Sequence, residues 1–397
     1  MTPYLKTTVI LLVVISLLFP VTLSDTCSSC QPALTIDGIK LQDINPENIS
    51  VFRNINAVDI GRAMDLSQYE NLDIQSLTED IIDAETDTGS SGSPDAAIMG
   101  LQSEIVLAMQ EANKNTPRFV IPDDLKDLPP GNFSLLNNLV YVPDEQDQTG
   151  GSPEHCGNCW VFADTAALQL DLSYQKNITD RLSVQYFNSN YHNGTGIWAC
   201  CGGNPTWFAD FYNTTKMAIP WNNTNASFAD SSQMCEQGES TTTPASSIAK
   251  DPFYTIENIS AQMIATNSVY EEQYIGNETA IQSIKAALYS GKGVIIIYTP
   301  DNWDPFMDFW TNQSENAIFT PVQDPNATEN DGGHVMLIIG YDDTDPEHSY
   351  WTVLNSWGAP QNRPDGLFRL NMGLDYTLQN PDGVNAYEFY ILDVVWK

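Results

Sequence analysis

Cys159 heads an apolar run, His155-Cys-Gly-Asn-Cys-Trp-Val-Phe-Ala163, with a second cysteine, Cys156, just before it. A thiol at a helix N-terminus meets unpaired backbone N–H groups and the positive end of the helix dipole, and both favour its anion. The thiolate is the nucleophilic form, so the segment reads as a nucleophile that needs a base, an orienting group and an oxyanion donor. Metal binding is the other chemistry open to a CxxC pair, but further ligands at suitable spacing are missing, and no metal is expected.

Histidine is scarce, with four in the chain: His155, His192, His334 and His348. His155 lies across a turn from Cys159, on the wrong side to serve as its base. His192 sits in an Asn/Gly-rich loop. His348 sits in an acidic loop, 342–348, which lacks the spaced ligands and glycine of an EF-hand calcium site and reads as a solvated hairpin loop. His334 differs: it follows Asp331-Gly-Gly333 and opens an apolar strand, where neighbouring glycines let a ring face a cleft. Asn355 closes a later strand in Val353-Leu-Asn-Ser-Trp-Gly358, as a hairpin partner would. An amide oxygen accepting from one imidazole nitrogen fixes the tautomer and leaves the other nitrogen for the thiol. Trp357 is placed to cover that bond. Cysteine, histidine and asparagine in this order supply nucleophile, base and orienter.

Elements able to hold these groups emerge from the apolar pattern. Residues 160–172 read as a mostly buried helix behind Cys159, and 278–289 as an amphipathic one. Residues 293–299 (GVIIIYT), 335–341 (VMLIIGY), 350–354 and 367–370 read as strands. A helix-rich beginning and a strand-rich end predict an α+β enzyme of two lobes with a cleft between them. The stretch 25–127 is different in kind, with few aromatic residues, a Gly/Ser-rich linker at 89–94 and an amphipathic helix expected over 96–112. Leu128-Pro-Pro-Gly131 marks the boundary.

Upstream, a weakly basic start, an apolar run over residues 8–19 and small residues before Asp25 read as a secretory signal over residues 1–24. No further segment is long enough to span a bilayer, so no membrane span is expected after signal removal. Asn-x-Ser/Thr occurs at Asn48, Asn132, Asn177, Asn193, Asn213, Asn222, Asn225, Asn258, Asn277, Asn312 and Asn326. Behind a signal peptide these predict a glycoprotein with those asparagines at its surface. A formal charge of −35 excludes nucleic acid and anionic membrane as partners, since both need a basic surface. The same acidity suits a compartment at pH about 4–5, where carboxylates protonate, and equally serves solubility.

Cys156-Gly-Asn-Cys-Trp160, Gly332-Gly-His-Val335 and Asn355-Ser-Trp-Gly358 resemble the three active-site blocks of papain-like cysteine peptidases. Leu182-Ser-Val-Gln185 and Cys200-Cys-Gly-Gly-Asn-Pro205 extend the resemblance over most of 128–397, with the cathepsin X (Z) branch nearest. It implies a papain-like fold, a helical left lobe beside a β-barrel-like right lobe, behind a prosegment at 25–127. It implies Cys159 as nucleophile, His334 as base, Asn355 as orienter, and Gly202, Gly203 and Trp357 at the substrate. For the glutamine that helps bind the oxyanion, Gln148 is the choice and Gln146 the alternative. Cys156–Cys200 is the disulfide the family implies, Cys201–Cys235 a second, and Cys27 with Cys30 a local pair; an odd count of seven leaves Cys159 free.

The activity implied is peptide-bond hydrolysis through an acyl-enzyme, without cofactor, in a lysosome-like or extracellular setting. Peptide or protein substrates and cystatin-like inhibitors are the partners, and a monomer is expected. The alternative is a catalytically silent papain-like glycoprotein that binds peptides. Several positions depart from the family: Asn158 replaces a small residue, no histidine directly follows Gln148, the second tryptophan after Trp357 is missing, and the wide Cys159–His334 separation requires an insertion within 205–330.

Overall fold

The computed structural model describes residues 35–36, 39–40, 115–152, 155–236, 239–266, 277–322, 332–379 and 385–397. The signal segment, the helix expected over 96–112, Cys27, Cys30, Asn48 and Asn326 lie outside them. Strands β1 (Thr35–Ile36) and β2 (Ile39–Lys40) pair antiparallel in a unit of their own, Met1–Ile74. All the other elements belong to the second unit, Gln75–Lys397.

Helix α1, Cys159–Lys176, is the organising element. Its residues from Cys159 through Ser173 are all buried, the signature of a helix apolar on every side and enclosed by its neighbours. It ends at Asn177, a left-handed cap with φ 53°. Helix α2, Val184–Asn190, opens on Ser183, whose hydroxyl accepts from Tyr186 N. Helix α3, Pro205–Thr215, opens on Asn204, whose side chain accepts from Trp207 N, with proline at the first turn. These three helices form one lobe.

The other lobe is a curled sheet of nine strands among the described residues. They are β3 (Asn132–Ser134), β4 (Met217–Ala218), β5 (Tyr254–Ile264), β6 (Val294–Tyr298), β7 (Ile318–Phe319), β8 (His334–Asp342), β9 (Tyr350–Leu354), β10 (Leu367–Asn371) and β11 (Tyr387–Trp396). Their order is β4-β5-β11-β6-β8-β9-β10-β7, with β3 added to β8. Every pair is antiparallel except β10 with β7. β8 is buried on both faces, between α1 and the rest of the sheet, which is why its sequence is continuously apolar rather than alternating. Helix α4, Asn277–Tyr289, packs against β5, β6 and β8, and helix α5, Asp304–Asn312, comes after β6.

Within the described residues, each strand and helix expected from the sequence is present, with ends shifted by a residue or a few. β8 begins on His334 itself because that residue pairs with Tyr298 of β6. α1 runs four residues beyond the expected end, to Lys176. Of the glycosylation asparagines, Asn132, Asn177, Asn193, Asn213, Asn222, Asn225, Asn258 and Asn312 are exposed, and Asn277 is half-buried where its side chain accepts from Tyr376 N. Among the described residues no helix is long and apolar enough to cross a membrane.

Candidate active site

Cys159 is the first residue of α1, 8% exposed, and the free cysteine among those described. The turn before it is braced from three directions. Cys156 is bonded to Cys200, Gly157 N donates to Cys200 O (3.1 Å), and Trp160 Nε1 donates to Ala199 O (3.0 Å). A second disulfide joins Cys201 to Cys235. Between these bridges the chain passes through Gly202, at φ 90° with open space where a side chain would be, and Gly203, whose Cβ would stand 2.5 Å from the Trp160 indole. Only glycine meets both conditions, a left-handed backbone and contact with a ring.

His334 opens β8 and is 4% exposed. Its Nε2 lies 2.7 Å from Asn355 Oδ1. The same oxygen accepts from Ser356 N at 2.8 Å, which fixes the orientation of the amide, so Nε2 is the donor and carries the proton. Nδ1 is then the nitrogen left to accept one. Trp357 stacks on the imidazole, ring centres 4.6 Å apart, and shields the Nε2–Oδ1 bond from water. The N–H of Val335, the next residue along β8, is near enough to the Cys159 sulfur to favour its anion, and α1 packs against β8.

The two reactive groups disfavour charge when taken singly. Burial pushes the Cys159 thiol up to about 11 against the help of the Val335 and Trp160 N–H groups, and Asp164 raises it further. Burial pushes the His334 imidazole down to about 4; the bond to Asn355 acts the other way, and the charge of His155 lowers it again. Each is therefore neutral alone near neutral pH.

Gln148 is buried, with its Nε2 donating to Cys156 O (2.9 Å) and its Oε1 accepting from Ser356 Oγ (2.6 Å). Its backbone N donates to Ser356 O, and Gly358 N donates to Gln146 O, so residues 146–148 lie strand-like against 356–358. One Nε2 hydrogen is spent on Cys156. Gln146 is buried too, but only its backbone is tied to this block. His155, half-buried, has Nδ1 3.2 Å from Ser152 O and is close enough to bear on His334. His192 is at 2.5 Å from Ile197 O, and exposed His348 pairs with Asp345 at 2.8 Å.

An aromatic wall stands around the histidine that the sequence reading did not include. Trp303 meets the His334 ring edge-on at 6.1 Å, and Phe306 and Trp310 of α5 meet Trp357 at 5.5 and 5.8 Å. Buried Arg363 holds α5 in place through the carbonyls of Phe309 (2.9 Å) and Trp310 (3.1 Å). The run Trp303-Asp-Pro-Phe-Met-Asp-Phe-Trp310 carries a usable signal, since Phe306, Phe309 and Trp310 recur at helical spacing behind a proline at the first turn.

Residues 140–386 match the family described as papain family cysteine protease. No curated protein matches the chain. Among solved structures the chain is similar to xylellain, a cysteine protease from Xylella fastidiosa, at 18% identity over 70% of this chain and 92% of that one, with a TM-score of 0.48. It is similar to procathepsin B S9 from Trypanosoma congolense at 13% identity over 72% and 84%, TM-score 0.47. It is also similar to bromelain from Ananas comosus, solved in complex with the E64 inhibitor, at 18% identity over 68% and 100%, TM-score 0.44.

Proposed function

We propose that this chain, which belongs to the papain family of cysteine proteases, hydrolyses peptide bonds through Cys159 and His334. The observation that carries the reading is the 2.7 Å bond from His334 Nε2 to Asn355 Oδ1 beneath Trp357, with Cys159 against the next residue of the same strand. Sγ attacks the scissile carbonyl carbon as its proton passes to Nδ1. The carbonyl oxygen becomes an oxyanion held by the Cys159 N–H and the second Nε2 hydrogen of Gln148. His334 returns the proton to the leaving amine, the C–N bond breaks and a thioester remains. Water then loses a proton to His334 and attacks the thioester; the acid departs and the proton goes back to sulfur.

The finer reading is a cathepsin X-like glycoprotein of the secretory pathway, monomeric, acting in a lysosome-like or extracellular compartment and open to cystatin-like inhibitors. The Leu182–Gln185 and Cys200–Pro205 strings and the exposed asparagines support it. Processing near residue 128 fits the anchorage of the chain just beyond that point: Asp343 pairs with Gly131 through N–H and side chain, and Lys285 donates to Pro129 O. Residues 115–119, on the upstream side, are also packed, with Phe119 N bonded to Met263 O on β5.

A silent peptide-binding relative is the second reading, favoured by the burial that keeps thiol and imidazole neutral one at a time. An epoxysuccinyl thiol reagent separates the two. The peptidase takes the label at Cys159 and loses it in His334→Ala; absence of label, or equal labelling of the variant, leaves the silent protein.

A further inference from the structure

We infer that Asp230, acting through Asn188, holds the Asn158 side chain away from the helix it would otherwise cap, and so keeps the first N–H groups of α1 open to the Cys159 sulfur. The value of this for turnover rests on the peptidase reading, whereas the geometry does not.

Asparagine is among the strongest N-cap residues because its side-chain oxygen folds back onto the N–H of the second or third helical residue. Asn158 occupies that position before Cys159 and makes no such bond. Its Nδ2 donates to Asn188 Oδ1 instead, at 3.1 Å, and its own Oδ1 is buried without a hydrogen-bond partner. Asp230 sets the direction of this arrangement. A carboxylate only accepts, so Asn188 turns Nδ2 toward Asp230 Oδ2 (3.4 Å) and is left with its oxygen facing Asn158. Asp230 in turn accepts from Gln185 Nε2 (2.6 Å), Thr241 Oγ1 (2.9 Å), Thr242 N (2.8 Å) and Thr242 Oγ1 (2.7 Å). All of Asn158, Gln185, Asn188 and Asp230 are fully buried, so the chain of amides is held rigidly. Asp230 and both threonines belong to the segment between α3 and β5, which the Cys201–Cys235 bridge ties to the substrate-side loop.

The consequence falls on the thiol. With Asn158 diverted, the Trp160 N–H faces sulfur rather than a capping oxygen, and works with Val335 N–H against the effect of burial. The titratable group bearing on this sulfur is Asp164, from its own helix. Asn188→Leu would free Asn158 to fold back and claim the helix N–H, making the thiolate harder to form.

Alkylation of Cys159 by iodoacetamide across a pH series, in the full-length protein with Cys159→Ser as blank, reads this directly. Asn188→Leu is expected to raise the alkylation midpoint by about one pH unit, the effect of losing one hydrogen bond to a charged group. Its kcat/KM should fall through kcat, with KM within about twofold. Asn158→Ala cannot cap, so combining it with Asn188→Leu should return the midpoint to the wild-type value. A midpoint that does not move in Asn188→Leu overturns the inference, as does one that stays raised in the double variant, because simple structural damage would persist there. Should Asn188→Leu not fold, Asn188→Ala carries the same two outcomes. Alkylation consumes no peptide, so failure of the peptidase reading shows separately, as a wild-type chain that alkylates but turns nothing over.

Discussion

The Ser356 hydroxyl donates to Gln148 Oε1 across 2.6 Å, and that bond fastens the segment before Cys159 to the block that orients His334. Gln148 N on Ser356 O and Gly358 N on Gln146 O close the same seam. The glutamine amide is therefore set by two side-chain bonds, one to Ser356 and one to the Cys156 carbonyl. An oxyanion donor works because it is already in place when charge develops.

Gln148→Ala should consequently lower kcat about 100-fold with little change in KM, the loss typical of one oxyanion donor. Gln146→Ala, whose tie to the site is through its backbone, should stay within about threefold. Steady-state kinetics on a fluorogenic peptide decides; equal losses from both variants would remove Gln148 from the role.

Asn355 raises the imidazole that burial lowers, and its oxygen fixes the tautomer. Asn355→Ala should cut kcat by about 100-fold, the scale of a misplaced catalytic group. Without its acceptor the imidazolium is less stable, so the alkaline limb of the kcat/KM profile should move to lower pH. An alkaline limb that stays in place would mean the limb belongs to another group.

Asp164 is buried on α1 with both carboxylate oxygens unpartnered, and burial holds it well above the usual carboxylate range. Its contribution to stability is present below its unfolded value near 3.8 and is lost as pH rises through the folded one. His334 runs the other way: its folded value near 4 lies below the unfolded 6.5, so its contribution holds above 6.5 and fades as pH falls toward 4. Asp164→Asn isolates the first effect. Its melting temperature should exceed wild type at pH 7 by about 2–4 °C per kcal/mol relieved, and the gap should close toward pH 4. A pH-independent gap between the two proteins would show that Asp164 does not titrate in this range.

Much of this site is open to reading in the sequence because its chemistry is carried by rare residues. Four histidines and a cysteine at the head of an apolar run leave few combinations, and continuous apolar runs give α1, β6 and β8 directly. α3 and β11 escape such a reading, the first because alternating polar and aromatic residues carry a weak helical pattern, the second because its pairing with β5 and β6 is long-range. The Asn158–Asn188–Asp230 chain is out of reach for the same reason. Asp230 meets Asn188 across 42 residues, and no local spacing announces such a contact.

Arg363 is buried with no exposure, and its guanidinium is spent on three carbonyls, those of Phe309, Trp310 and Leu367. It also lies over the Phe309 and Trp310 rings, 4.4 and 4.9 Å from their centres. Burial pulls it down to about 10, still charged at any pH where the protein acts. Two of these carbonyls, those of Phe309 and Trp310, lie at the end of α5, so the cation neutralises the negative end of that helix while fixing the aromatic wall on Trp357. Arg363→Met keeps the stem and removes three hydrogen bonds, although Gln313 N still donates to Phe309 O and Asn362 Nδ2 to Trp310 O, and should cost about 2–4 kcal/mol. The urea midpoint should fall with an unchanged slope, and Arg363→Lys, able to reach fewer carbonyls, should fall between. Because Trp357 loses its backing, kcat measured well below the melting temperature should drop as well, in the same order. Full stability in Arg363→Met would show that the wall stands without its clamp.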